Sequence, residues 1–468
     1  MKKLFDEAEM QYKEIVKKDP WRLNYHLMPP VGWLNDPNGL CEFKGVYHIF
    51  YQYSPDNACG GKKGWGHYST KDFLSFVKEE NALFPDSDID KDGAYSGSAF
   101  VEGEQIHFFY TGNIKFEGDY DYINEGRGHY VNYFSSKDGV TFSQKENLLK
   151  NEDYPDDMSC HVRDPKVYKE NDKFYMVLGA RTKESVGCLL IYESHHLKDW
   201  KYKTRLCTPE KFGYMWECPD FFEIDHQKIL ITCPQGVEKN GYQYENLYQN
   251  GYFIVNGDME TGLSLGHFYE LDKGFDFYAP QTFEDENHRR IMIGWMGLPD
   301  VPYTNPTVAM KWQHALTLPR ELTLKDNRIY QYPIEETKKL RKNKISVHLS
   351  KNEVYQYASH SCQMHLVPAI QQFQINLRRD VQLTYDGQLF TLSLKDSGYG
   401  RDERHLEIDH INEIDIFSDT SSLEIFVNKG ENVMTTRVYD CDKDTHIMVS
   451  TSMVMDYYEM NAYQIMND

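Results

Sequence analysis

Hydrophobic positions along the chain fall into a recurring pattern. Five runs are apolar almost throughout: VYHIFYQ from Val46, IHFFYTG from Ile106, FYMVLGA from Phe174, KILITCP from Lys228 and RIMIGWM from Arg290. Runs of this length and composition predict buried strands. Shortly before each lies a second, more polar segment: WLNDPNGL, YSGSAF, HVRDPKV, MWECPDFF and FYAPQTF. Anchored at Asp36, Gly97, Asp164, Glu217 and Ala279, these leading segments recur every 53 to 67 residues. A third signature follows the first three runs, STKDFLSF from Ser69, SSKDGVTF from Ser135 and SHHLKDW from Ser194, and predicts outer hairpin strands. The period suits one four-stranded sheet per repeat. Five such sheets set radially predict an all-β, five-bladed β-propeller over residues 21–335, with the first strand of each blade lining the channel. An array of β-sandwiches is the competing arrangement, but sandwiches seldom keep so long a period.

The flanks differ from this repeat. Residues 1–20, MKKLFDEAEMQYKEIVKKDP, read as a short amphipathic helix. After Pro333 the composition shifts to a charged link with helical character over 336–344, then to alternating strands. VQLTYDGQLFTLSL predicts a hairpin around Asp386-Gly387, and SSLEIFVNKGENVMTTRVY predicts one turning over Asn428 to Asn432. A C-terminal β-sandwich over 345–468 is expected.

Composition narrows the partners. Of 468 residues, 72 are acidic and 51 basic, and a net charge of −21 argues against nucleic acid or an anionic membrane as the ligand. The first residues lack the apolar segment of a secretory signal, and no run of eighteen apolar residues occurs. Nine cysteines without CxxC pairs predict reduced thiols, so a cytoplasmic protein with no structural zinc is expected. The 35 tyrosines, 25 phenylalanines and 7 tryptophans suit sheet packing and stacking against flat polar ligands such as sugar rings.

Alone, Asp36-Pro37-Asn38-Gly39 reads as a type I turn in which Asp36 caps a bend. The repeat changes that reading, because Asp36, Asp164 and Glu217 hold the same place in the first, third and fourth blades. Proline follows two of them directly and the third after one cysteine, holding the acids at rigid, extended strand ends. Three carboxylates are therefore expected at one axial funnel. Arg163 precedes Asp164, and alternation aims the two apart unless the chain kinks at Pro165. Trp216 beside Glu217 is expected to desolvate that carboxyl and keep it protonated for acid catalysis. Two carboxyls of unlike proton affinity are what glycosidic cleavage requires.

The set WLNDPNGL, FYQY, WGH, YSGS, VRDP, ECPD, DFYAPQTF and, late in the chain, SSLEIFVN resembles glycoside hydrolase family 32, the β-fructofuranosidases, in the family's order over nearly the whole sequence. The resemblance implies that Asp36 is the nucleophile, Glu217 the acid/base and Asp164 a stabiliser of the oxocarbenium-like transition state. It also implies that Asn35, Gln52, Tyr95, Ser96 and Arg163 bind the sugar, and that Trp33, Trp65, Tyr278 and Trp295 form its walls. No metal or cofactor is implied, and the partner is a small sugar: sucrose, sucrose 6-phosphate or a fructo-oligosaccharide. One departure stands out. Many relatives carry a further Trp and a Met-His pair before WGH, where this chain reads Gly60-Gly61-Lys62-Lys63-Gly64. Lys62 and Lys63 are either a solvated loop tip or a cradle for a phosphorylated glucose. Two further readings stay open: a carboxylate site for Ca²⁺ or Mg²⁺, and a transferase that passes fructose to another sugar. The oligomeric state is not legible.

Overall fold

The computed structural model describes residues 1–441 and 443–467. Its centre is a closed ring of five antiparallel sheets. The innermost strands are Gly32–Phe43, Ala94–Glu102, Met158–Glu170, Met215–Ile224 and Tyr278–Glu284. Each touches the next, and the fifth touches the first, so the ring closes as a five-bladed propeller. The five apolar runs are the second strands, Val46–Ser54, Gln105–Lys115, Lys173–Thr182, Gln227–Gln235 and Arg290–Met296. Their lack of alternation follows from burial on both faces, because the cores lie between blades. One core joins Phe109, Val131 and Tyr133 of the second blade to Met176, Leu178 and Leu190 of the third. Another joins Tyr175 and Val177 of the third to Leu230 and Phe253 of the fourth.

The first blade carries additions at both edges. Trp312–Gln313 pairs in parallel with its inner strand, and Gln464–Met466 pairs in parallel with its outermost strand, Ser75–Lys78. The helix Lys2–Val16 buries Phe5 against Tyr53 and Phe84, and Glu9 pairs with Lys78 at 2.8 Å.

Two six-stranded sheets beyond Pro333 form a sandwich around Ile375, Leu392, Ile416, Ile425 and Met455. The hairpins at Asp386-Gly387 and at Asn428 to Asn432 form as the pattern predicts. The helical character expected of the charged link over 336–344 takes the form of a 3₁₀ turn, Glu335–Leu340, which runs directly into the strand Arg341–Leu349. The last strand, Gln464–Met466, belongs to the propeller sheet rather than to the sandwich.

A buried charge network fixes propeller to sandwich. Arg320 Nη1 lies 3.1 Å from Asp272, and the same guanidinium pairs with Glu424. Glu424 Oε1 accepts from the Leu318 amide at 2.8 Å and meets His26 Nε2 at 2.9 Å. His26 Nδ1 meets Asp419 at 2.9 Å. Arg401 forks onto Asp276 with both bonds at 2.7 Å. Burial alone would push the His26 imidazole down, but the two carboxylates outweigh it and hold the ring above its ordinary pKa.

Candidate active site

Every inner strand breaks register with its neighbour near the channel. Shifts fall between Leu34 and Pro37, Ala94 and Gly97, Glu217 and Asp220, and Tyr278 and Gln281, while in the third blade the partner strand slips between Val177 and Gly179. Such bulges leave residues unpaired and re-aim their side chains. In three blades a residue within the polar motif takes positive φ although it is not glycine: Asp164 at 61°, Cys218 at 47° and Ala279 at 47°. This local strain lets two successive side chains face the same pocket. Asp36-Pro37-Asn38-Gly39 is thus not a turn but part of a bulged strand. The kink that joins Arg163 to Asp164 lies at Asp164 itself rather than at Pro165, and the freed Asp164 amide donates to Thr111 Oγ1 at 2.8 Å.

The ring brings Asp36, Asp164 and Glu217 together. Asp36 Oδ1 accepts from Asn35 Nδ2 at 3.0 Å, and its Oδ2 accepts from the Ser96 hydroxyl. Asn35 is oriented in turn by Trp33 Nε1 at 2.7 Å and by Gln52 Oε1 at 2.9 Å, while Gln52 Nε2 donates to Ser96. Asp164 Oδ2 accepts the Cys218 amide at 2.9 Å. The Cys218 thiol lies 3.6 Å from Asp36 Oδ2 and 3.7 Å from Asp164 Oδ2, bridging the two. Glu217 Oε2 accepts from Tyr278 Oη and from Gln235 Nε2, each at 2.7 Å. Arg163 Nε reaches Glu217 Oε1 at 3.2 Å and stands 3.9 Å from Asp164.

Burial raises the Asp36 carboxyl above its ordinary pKa, the negative Glu217 adds to this, and the Ser96 and Asn35 donors oppose it. Burial pushes Asp164 up to about 7, with Arg163 opposing and Glu217 and Asp36 reinforcing. Burial would lower Arg163, yet Glu217 and Asp164 hold it above its ordinary value. All three carboxylates are met by protein donors. Among the described residues no group of three His, Cys, Asp or Glu is arranged to hold a metal ion.

The expected walls divide. Trp33 is partly exposed and packs edge-on to His314 at 4.4 Å. Tyr95 is partly exposed beside His129. Trp65, expected to touch sugar, is 0% exposed: its ring fills the core between the first two blades and its Nε1 supports the Tyr95 carbonyl at 3.1 Å. Trp295 is buried behind Trp33 and Tyr278. Trp216 does not desolvate Glu217. It points into the core of the third and fourth blades, because successive strand residues face opposite ways. Lys62 is exposed and donates to the Lys91 carbonyl at 3.0 Å. Lys63 is half-buried, its Nζ 4.6 Å over the Trp33 ring, and burial lowers it to about 7 against the pull of Asp36 and Asp56. Thr111, Cys218 and Gln235 were not singled out from the sequence. Cys218 lies inside a quoted motif, and Gln235 ends the second strand of its blade much as Gln52 lies near the end of its own.

Three carboxyls, a guanidinium and a thiol, gathered from separate blades at the propeller channel, are the groups of a glycoside-cleaving hydrolase. The model named Glycosyl hydrolases family 32 N-terminal domain matches residues 26–333, and that named Glycosyl hydrolases family 32 C terminal matches residues 334–463. The chain belongs to glycosyl hydrolases family 32. It is 38% identical over 448 residues to the sucrose-6-phosphate hydrolase of Bacillus subtilis (strain 168), covering 92% of each chain. It superposes on the sucrose-6-phosphate hydrolase from Lactobacillus gasseri with a TM-score of 0.90 at 30% identity, covering 98% of this chain and 97% of that one. A family 32 β-fructofuranosidase from Bombyx mori gives 0.88 at 30% identity, covering 99% of each.

Proposed function

We propose that the enzyme is a retaining β-fructofuranosidase that hydrolyses sucrose or sucrose 6-phosphate to fructose and glucose or glucose 6-phosphate. Asp36 attacks the anomeric carbon of the terminal fructosyl unit. Glu217 protonates the leaving oxygen and then, as base, activates the water that releases fructose. Asp164 hydrogen-bonds the fructose hydroxyls and steadies the oxocarbenium-like transition state. The observation that carries this reading is the division of donors between two carboxylates in one pocket: Asp36 lies against Ser96, Asn35 and the Cys218 thiol, and Glu217 against Tyr278, Gln235 and Arg163. Sucrose and its phosphate are the substrates because the sucrose-6-phosphate hydrolases are similar to this chain over nine-tenths of its length, and a solved Bombyx mori neighbour at 29% identity holds sucrose.

A phosphorylated disaccharide is an intracellular sugar, so we assign the enzyme to the cytoplasm. All nine cysteines are free, and among the described residues no helix is long and apolar enough to cross a membrane.

The test compares kcat/KM on sucrose, sucrose 6-phosphate, kestose and inulin, with Asp36→Asn and Glu217→Gln alongside. The expected result is preference for the two disaccharides and a loss of about a thousandfold or more in each variant. Preference for inulin, or a variant that keeps a tenth or more of the activity, would overturn the assignment.

A further inference from the structure

Beside the Glu217 side of the pocket, the second and third blades gather Arg127, His129, His161, Arg163 and Arg181. Among the described residues, Arg127 and Arg181 lie against neutral groups rather than carboxylates. Arg127 Nη1 lies 3.4 Å from both Asn113 Oδ1 and His129 Nε2. Arg181 Nη2 donates to Ser185 Oγ at 2.8 Å, and its guanidinium lies 4.8 Å over the Tyr214 ring. Both Nε atoms are buried without partners, as is Nδ1 of the fully buried His129. The hairpin between Lys115 and Arg127 carries a nearby carboxylate, Asp121, but it accepts the amides of Ile123, Asn124 and Glu125 instead.

His161 links this group to the catalytic one. Its Nδ1 accepts from Arg163 Nη1 at 2.6 Å and its Nε2 donates to the Tyr122 carbonyl at 3.1 Å, so the ring is neutral and fixed. The His129 ring that Arg127 contacts meets the His161 ring edge to face at 5.4 Å, and the Tyr214 residue under Arg181 donates its amide to the Gln235 carbonyl at 2.8 Å. Arg163 bonds Glu217 in turn. Arg127, through His129, His161 and Arg163, and Arg181, through Tyr214 and Gln235, are thus each linked to the acid that protonates the leaving oxygen.

We propose that Arg127 and Arg181 form an anion subsite that receives the phosphate ester of the leaving sugar. This rests on the reading of Glu217 as the acid. A planar guanidinium fork matches phosphate oxygens with charge-assisted bonds. Lys63 is the weaker candidate, because it lies over Trp33 beside Asp36 and is only partly charged at neutral pH, and Lys62 points to the Lys91 carbonyl at the surface.

The experiment measures kcat/KM on sucrose 6-phosphate and on sucrose for the full-length enzyme and for Arg127→Gln, Arg181→Gln, Arg127→Lys, Arg181→Lys and Lys63→Ala. It adds inhibition by glucose 6-phosphate and by glucose. Each Gln variant should lower the ratio of the two kcat/KM values about tenfold or more and weaken inhibition by glucose 6-phosphate but not by glucose. The Lys variants should fall between, since charge persists and the fork is lost. Equal losses on both sugars, an unchanged ratio, or a ratio that falls only in Lys63→Ala would overturn the subsite. A wild-type enzyme that cleaves sucrose but not its phosphate would overturn the subsite alone; one that cleaves none of sucrose, sucrose 6-phosphate, kestose and inulin would overturn the fructosidase reading itself.

Discussion

Replacing Ser96 by alanine removes one of the donors that oppose the effect of burial on Asp36. The Ser96 hydroxyl donates to Asp36 Oδ2, Asn35 Nδ2 donates to Oδ1 at 3.0 Å, and the Cys218 thiol stands 3.6 Å away. Burial already raises this carboxyl, so losing the hydroxyl raises it further. A hydrogen bond to a charged group is worth about 1.5–3 kcal/mol, which corresponds to a loss of about 10- to 100-fold where the nucleophile must be deprotonated. The sign follows from the chemistry. Asp36 reacts as the carboxylate, so its share of activity is present above its folded pKa and lost as pH falls through it. In Ser96→Ala that loss begins at higher pH, and the deficit shrinks as pH rises. The variant also leaves Gln52 Nε2 without its acceptor, which should cost about 1–3 kcal/mol of stability. The assay is kcat/KM on sucrose from about pH 4 to about pH 8, with a thermal midpoint for each sample. A profile that superposes on wild type, or a loss uniform across pH, would refute the assignment of Asp36 as a nucleophile tuned by Ser96.

Other expectations follow from the same geometry. Glu424→Gln should cost about 3–5 kcal/mol, read by calorimetry, because Arg320 and His26 lose a fully buried carboxylate partner. Stability should also depend on pH from two sides. The raised His26 contributes below about pH 6.5 and loses that contribution as pH rises through its folded pKa, whereas Asp419 and Glu424, both depressed, contribute above about pH 4 and lose it as pH falls. The thermal midpoint should therefore peak between those limits, and His26→Gln should flatten its alkaline side. Gly97→Ala should destabilise by about 1–3 kcal/mol and lower kcat/KM by about a hundredfold, since the new Cβ would lie 2.0 Å from the Phe109 carbonyl and would displace Ser96. Full activity in Gly97→Ala would show that the bulge of the second blade does not position the site.

The blades were legible because burial on both faces leaves unbroken apolar runs, and because each leading segment repeats its place relative to them. The three acids were legible for the same reason. What the sequence hid was local. Period-two alternation assigns Arg163 and Asp164 to opposite faces, but positive φ at Asp164 turns both toward the pocket, and no glycine marks the place. Alternation was the better guide for Trp216, which faces away from Glu217 as a strand neighbour should. Trp65 was misread as a wall because a tryptophan in a motif looks the same whether it touches sugar or fills the core between blades. The return of Gln464–Met466 to the first blade was invisible, because a three-residue parallel pairing has no pattern of its own.

The central claim is a double displacement through Asp36 with Glu217 as acid and base, and methanolysis tests it most directly. Sucrose is turned over by the wild-type enzyme in aqueous methanol, and the anomer of the methyl fructofuranoside formed is read by NMR before it equilibrates. Two inversions at the same carbon predict the β-anomer. The α-anomer would contradict a covalent intermediate on Asp36 and require a single direct displacement by solvent.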